Sequence, residues 1–172
     1  MTKNKLIILF IGLSFFLSGW QSVKASQQKS IEKDYYDLGF KSVSNAIQET
    51  ESYYKTNLDL PKKLPPLDFT HSFGRFNEEN ESLEIEYLNE EKHFKYIINV
   101  IPAKERGKLL SSTDAIIPLK DGTEAYYTTS GINGRDLITF MFEKNNWIYI
   151  LSIEEDLIDK PLPTLVGIAN SL

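Results

Sequence analysis

Leu137-Ile138-Thr139-Phe140-Met141-Phe142-Glu143-Lys144-Asn145-Asn146-Trp147-Ile148-Tyr149-Ile150-Leu151-Ser152-Ile153 decides the fold class. Two runs rich in β-branched and aromatic residues flank one polar Asn-Asn step, the signature of strands joined by a tight turn. In the first run Ile138, Phe140 and Phe142 fall on one face. The link into Trp147–Ile153 is too short for anything but an antiparallel neighbour. Upstream, Glu124 to Thr129 reads as a strand, with Ser130 to Gly134 as the turn that follows it. Before it, Leu119-Lys120-Asp121-Gly122-Thr123 carries Asp-Gly, which supplies the positive φ angles of a hairpin turn.

The same period of two continues towards the N-terminus. Leu83, Ile85 and Tyr87 alternate with Glu84 and Glu86, and Leu67, Phe69, His71 and Phe73 alternate with polar residues or glycine. Both stretches predict half-buried strands with one wet face. Phe94 to Ile101 differs, because Ile97 and Ile101 make its second face partly apolar. It is expected at the centre of the sheet, covered on both sides, and ended by Pro102. Polar Lys104 to Asp114 predicts a loop or a short helical excursion.

Helical spacing flanks the strands. Tyr35, Leu38, Val43, Ala46, Ile47 and Tyr54 recur at roughly a helical period, with Ser30 or Asp34 as the cap and closure at Leu58-Asp59-Leu60-Pro61. Gly39 weakens the middle of that helix by about 1 kcal/mol relative to alanine. Pro61 to Pro66 reads as a stiff connector. In the tail, Leu165, Ile168, Ala169 and Leu172 share a stripe, and Pro161 or Pro163 suits a first turn. The class is α+β: an antiparallel sheet of six or seven strands, with an N-terminal and a C-terminal helix packed on it. Residues 30–172 are expected to form a single domain, preceded by a polar tether at 26–29.

The chain has 172 residues, 19 basic and 24 acidic, and no cysteine. Three of the basic residues, Lys3, Lys5 and Lys24, lie in the first 25 positions, which hold no acid, so the remaining 147 residues carry a net charge of −8. Disulfides, thiolate metal sites and thiol nucleophiles are excluded. An acidic body argues against nucleic acid as a partner. Lys3 and Lys5 precede an apolar run from Leu6 to Leu17, shorter than the roughly 20 residues of a membrane span and suited to a signal peptide. Leu17-Ser18-Gly19 matches a bacterial lipoprotein signal, but Trp20 stands where the lipidated cysteine would be. Val23-Lys24-Ala25 gives a second exit, with cleavage expected before Ser26. Residues 1–25 therefore predict export. The membrane is a partner only through this segment, if it is retained, and the short leader predicts no cytoplasmic domain.

Chemistry-bearing residues are sparse. His71 reads as a core-edge imidazole and His93 as a solvated turn residue, and two imidazoles alone make a poor metal site. The acids at Glu78, Glu79 and Glu81, at Glu90 and Glu91, and at Glu154, Glu155 and Asp156 sit in turns without a calcium-loop pattern. No nucleophile elbow or phosphate loop is present, and no metal or cofactor is expected. Glu84 and Glu86, two apart on one strand, are the only pair that suggests a two-carboxylate hydrolase. Among the aromatics, Tyr126 and Tyr127 are neighbours on a strand, so one of them must face outward. An outward tyrosine suits a contact surface, because it buries a large area at low entropy cost. Tyr126 and Tyr127 are the candidate interaction surface.

Leu60-Pro61-Lys62-Lys63-Leu64-Pro65-Pro66-Leu67-Asp68-Phe69-Thr70-His71 resembles a segment of uncharacterised extracytoplasmic lipoproteins of Bacillus-like Gram-positive bacteria. So does Leu119-Lys120-Asp121-Gly122-Thr123-Glu124-Ala125-Tyr126-Tyr127. The end, from the Trp147 strand to Leu165-Val166-Gly167-Ile168-Ala169-Asn170-Ser171-Leu172, is similar to a domain of surface lipoproteins and of the outer parts of anti-sigma-factor-like proteins. The resemblance covers most of Ser30 to Leu172 and implies no catalytic residue. It implies lipidation at a cysteine, a position held here by Trp20. Together with the export segment it predicts a non-enzymatic cell-envelope protein, secreted or at the outer face of the cytoplasmic membrane, that binds an envelope protein. A wall or glycan hydrolase using Glu84, Glu86 or His71, a sensor domain working with a separate membrane partner, and a carrier of an apolar ligand are the competing readings.

Overall fold

The computed structural model describes residues 31–104, 113–132 and 135–172. The export segment 1–25, the tether 26–29, Ser30, residues 105–112 and the Asn133-Gly134 step lie outside the described residues. The chain divides into two compact units, Met1–Gly39 and Phe40–Leu172. In the first, residues 31–37 are helical. The amides of Leu38 and Gly39 close the last turn onto Asp34 and Tyr36, and Gly39 adopts φ 86°. The single helix expected across Tyr35–Tyr54 is therefore divided. Gly39 terminates a helix rather than weakening its middle, because a left-handed backbone satisfies the last carbonyls at no steric cost.

The second unit opens with helix α1 (Val43–Tyr54). Its cap is Ser42, whose hydroxyl accepts from the Asn45 amide at 3.3 Å, a role the sequence reading gave to Ser30 or Asp34. The helix stops at Lys55, whose φ is 55°, earlier than the expected closure before Pro61. Among the described residues seven strands follow: β1 (His71–Asn77), β2 (Ser82–Asn89), β3 (Phe94–Pro102), β4 (Ala115–Pro118), β5 (Glu124–Ile132), β6 (Arg135–Lys144) and β7 (Trp147–Glu154). A short 3-10 turn (Glu155–Leu157) leads to helix α2 (Pro161–Ala169), which has proline in its first turn. All pairings are antiparallel, in the order β1-β2-β3-β7-β6-β5-β4. The class is α+β, and β3 sits inside the sheet against β7. Strand β5 runs on to Ile132, so Ser130 and Gly131 extend a strand instead of opening a turn.

One face of the sheet carries the core. Leu83, Ile85, Tyr96, Ile98, Val100, Ile138, Phe140, Phe142, Tyr149, Leu151 and Ile153 are fully buried there. They form one apolar cluster with Ala46 of α1 and with Leu165, Ile168 and Ala169 of α2, so both helices cover the same face. Each large side chain so buried contributes about 1.5–3 kcal/mol. Helix α1 approaches β1 closely at Gly74, where a β-carbon would lie 2.7 Å from Ala46 Cβ. Of the second face, Ile97, Ile101 and Ile150 are half-buried, and Phe73, Leu88, Met141 and Ile148 are buried.

Two expected strand faces are corrected. Phe69 precedes β1 and does not share a face with His71. The chain turns at Pro65, whose carbonyl accepts from the Leu67 amide at 2.7 Å. Phe69 thereby packs against Tyr87 and Phe94, with ring centroids at 5.6 and 5.9 Å. Glu86 is not on a wet face: it is only 6% exposed and meets the Lys95 ammonium at 2.7 Å. Such a charge is tolerated because the partner offsets its desolvation. The proline-rich connector is structural here. The amides of Lys62 and Lys63 bond to the carbonyl and hydroxyl of Ser171, tying it to the end of the chain.

Candidate functional site

The tyrosine pair divides as strand alternation requires. Tyr127 pairs with Ala115 and Phe140 on the helix-covered face and packs against the core. Its hydroxyl accepts from Thr129 at 3.5 Å. Tyr126 pairs with Ile116 and Met141 on the opposite face, half-buried, and its hydroxyl donates to Glu124 at 3.2 Å. Ile116 beside it is 56% exposed. No described helix of the Phe40–Leu172 unit lies over that face. Of the two candidates, Tyr126 is the one on the face opposite the helices.

Next to Tyr126 the chain makes a crevice of about 560 Å³. Its walls are two hairpin turns. In the β4–β5 turn the Leu119 amide bonds to the Thr123 carbonyl, and Gly122 takes φ 86°. The Lys120 amide is held by the Asn170 carboxamide oxygen at 2.8 Å, which fixes the turn to the end of α2. The β6–β7 turn is Asn145-Asn146, with φ 52° and 66°, between the paired residues Lys144 and Trp147. Asparagine tolerates that backbone better than most residues, which is why this dipeptide turns a hairpin. The Lys144 ammonium bridges the two turns to the Asp121 carboxylate at 3.0 Å. The backbone hydrogen bond from Thr123 first, and then Lys144, hold the Asp121 carboxyl down to about 2. Thr123, Glu124, Glu143 and the exposed carboxamides of Asn145 and Asn146 complete the lining.

The other chemistry-bearing residues lie elsewhere. Glu84 bonds Arg75 at 2.7 Å across the β1–β2 pair, and Glu86 bonds Lys95, so each carboxylate faces its own cation. Arg75 also lies 4.4 Å from the centroid of the Phe40 ring. His71 stacks on Phe73 with ring centroids 5.9 Å apart, and its Nδ1 lies 2.8 Å from the Thr70 hydroxyl. His93 is exposed, in the left-handed position before β3. Asn77 uses its side-chain oxygen to accept from the amides of Glu79 and Asn80, and Glu81 bonds Lys104 at 2.7 Å. Among the described residues no group of three His, Asp or Glu side chains is arranged to hold a metal ion. No described helix is long and apolar enough to cross a membrane.

Most of the remaining aromatics work inside the fold. Tyr149 donates to the Asp59 carbonyl at 2.8 Å, Trp147 to the Asn57 carbonyl at 3.4 Å and Tyr54 to the Glu81 carbonyl at 3.0 Å. Tyr54 and Trp147 meet edge to face at 5.0 Å. Tyr149 and Trp147 pin the extended segment after α1, which has no ladder of its own. The crevice escaped sequence reading. Each turn was visible as Asp-Gly or Asn-Asn, but only the register β4-β5-β6-β7 brings them side by side. Comparison with protein-family models, curated proteins and solved structures finds no match.

Proposed function

We propose that the chain is an exported, non-enzymatic cell-envelope protein that works as a binding module. Export rests on the Lys3-Lys5 start, the Leu6–Leu17 run and the small-residue exit at Ala25. The resemblance to extracytoplasmic lipoproteins of Gram-positive bacteria supports the same address, with Trp20 in place of the lipidated cysteine. The observation that carries the binding reading is the one-sided placement of α1 and α2. It leaves Tyr126 on the opposite face, beside a preformed polar crevice. An envelope protein is the partner this reading expects. The hydrolase reading loses its main support, because Glu84 and Glu86 are each spent on a neighbouring cation.

The test is cross-linking of the tagged protein in its own host, with fractionation and N-terminal sequencing. The expected product lies outside the cytosol, begins at Ser26 and carries an envelope partner that Tyr126→Ala loses. A cytosolic chain with Met1 intact overturns the export. A set of cross-linked partners unchanged by Tyr126→Ala overturns the surface.

A further inference from the structure

The link from β3 to β4 has a long way to travel on little chain. Asn99, Ile150, Met141, Tyr126 and Ile116 stand in one row across β3, β7, β6, β5 and β4. Each neighbouring pair is antiparallel, so β3 and β4 run in the same direction. The link therefore leaves one end of the sheet and must re-enter at the other. Lys104 is held at the first end. The Ala103 amide bonds to the Asn146 carbonyl at 2.9 Å, and the Lys104 ammonium meets Glu81 at 2.7 Å, on the side away from β4. At the second end the Asp114 amide bonds to the Tyr127 carbonyl at 2.9 Å. Strand spacing and rise put Lys104 and Thr113 about 19 Å apart across the sheet and about 24 Å along it, or about 30 Å on the diagonal. The nine residue steps between them reach at most about 30–32 Å. A detour around the edge of the sheet needs about 40 Å, which leaves a course across one face.

Three observations select the face. The helix-covered side is full: Phe140, Phe142, Tyr149 and Leu151 are completely buried there, in one cluster with Leu165, Ile168 and Ala169. Handedness agrees. Gly74 faces α1 and points its amide and carbonyl outward to Lys41 at the β1 edge. For L-residues this fixes the hand of the sheet, and a right-handed link from β3 to β4 then runs over the face opposite the helices. On that face Ile148 is 1% exposed and Met141 8%, although no described helix of the Phe40–Leu172 unit lies over them. Both lie along the diagonal. We propose that residues 105–112 cross this face, with Leu109 and Leu110 seated on Met141, Ile148 and Tyr126. These two are the apolar side chains of the link, and they stand just past its middle, over β6 and β5. The surface left for a partner is then the β4 edge, where Ile116 stays 56% exposed. The proposal goes beyond the binding reading and depends neither on export nor on the partner.

The chain has no cysteine and two methionines, Met1 and Met141, so two direct measurements on the full chain are open. In the first, Leu109→Cys is combined with Met141→Cys, Leu110→Cys with Tyr126→Cys, and, as a distant control, Leu109→Cys with Ser72→Cys on exposed β1. A disulfide forms only where two Cα atoms come within about 7 Å. Mild oxidation of the folded protein is expected to join at least one of the first two pairs within a single molecule, roughly tenfold or more faster than the control. In the second, peroxide oxidation of Met141 is followed by peptide mass spectrometry. It is expected to run roughly fivefold or more faster in the Leu109→Ser, Leu110→Ser double variant than in the native protein, because sulfoxidation follows exposure. Circular dichroism checks that both proteins are folded, and the cysteine pairs decide alone where the double variant is not. Neither pair joining faster than the control, or Met141 equally protected in a folded double variant, each overturns the proposal.

Discussion

Two buried tyrosines separate the value of a hydroxyl from the value of its ring. Tyr149 and Tyr96 are both fully buried. The Tyr149 hydroxyl donates to the Asp59 carbonyl at 2.8 Å, while the Tyr96 hydroxyl has no hydrogen-bond partner among the described residues. A made bond contributes about 0.5–1.5 kcal/mol, and an unsatisfied buried polar group costs about 1–3 kcal/mol. Tyr149→Phe is therefore expected to destabilise by about 1 kcal/mol, and Tyr96→Phe to be neutral or stabilising. Urea unfolding of both variants at neutral pH checks the contrast; equal losses would refute it. The sequence carried the strands that hold both rings. It carried nothing about their hydroxyls, because Asp59 lies in an extended segment 90 residues away from Tyr149.

At the scale of elements, the contact between α1 and β1 is set by the absence of one methyl group. An alanine at Gly74 would put its Cβ 2.7 Å from Ala46 Cβ and 3.2 Å from Val43 Cα, and neither neighbour is the end of a flexible chain. Gly74 also exchanges both backbone bonds with Lys41, at 2.8 and 2.9 Å, so β1 cannot retreat freely. Gly74→Ala is expected to cost about 1–3 kcal/mol through overpacking. Ala46→Gly alone costs about 1 kcal/mol of helix propensity. The double variant should then be more stable than the sum of the two losses, a coupling that denaturant titration of all four proteins measures. Additive losses would show that the helix does not press on the strand there. The elements themselves were largely legible: the Asn145-Asn146 and Asp121-Gly122 turns, the period of two in β2, β3 and β6, the Trp147–Ile153 run, and the Leu165, Ile168 and Ala169 stripe. The helix boundaries were not. A left-handed Gly39 and Lys55 override a helical period that continues across them, and Ser42 caps a helix whose start lies beyond that break.

For the whole molecule, the sheet order depends on contacts that no local pattern announces. Hairpins can be read from their turns, but β3 pairs with β7 across a sequence gap that includes the entire β4–β6 meander. This long-range closure also buries Tyr96 and Tyr149 on paired strands, and it gives the molecule an alkaline limit. Burial first raises both phenols above the ordinary value of 10. Tyr87 adds to the effect at Tyr96, and the Asp59 carboxylate adds to it at Tyr149. In the unfolded chain both ionise near pH 10. The folded state therefore holds protons that the unfolded state releases. Its stability from these groups is complete below about pH 10 and falls as the pH rises beyond it. The urea midpoint should hold level up to about pH 9.5 and then decline steeply. Tyr149→Phe and Tyr96→Phe should each make that decline shallower, even though their neutral-pH stabilities move differently. A slope unchanged in both variants would place the alkaline transition on lysines or exposed tyrosines, and would separate the closure of the sheet from the ionisation of its core.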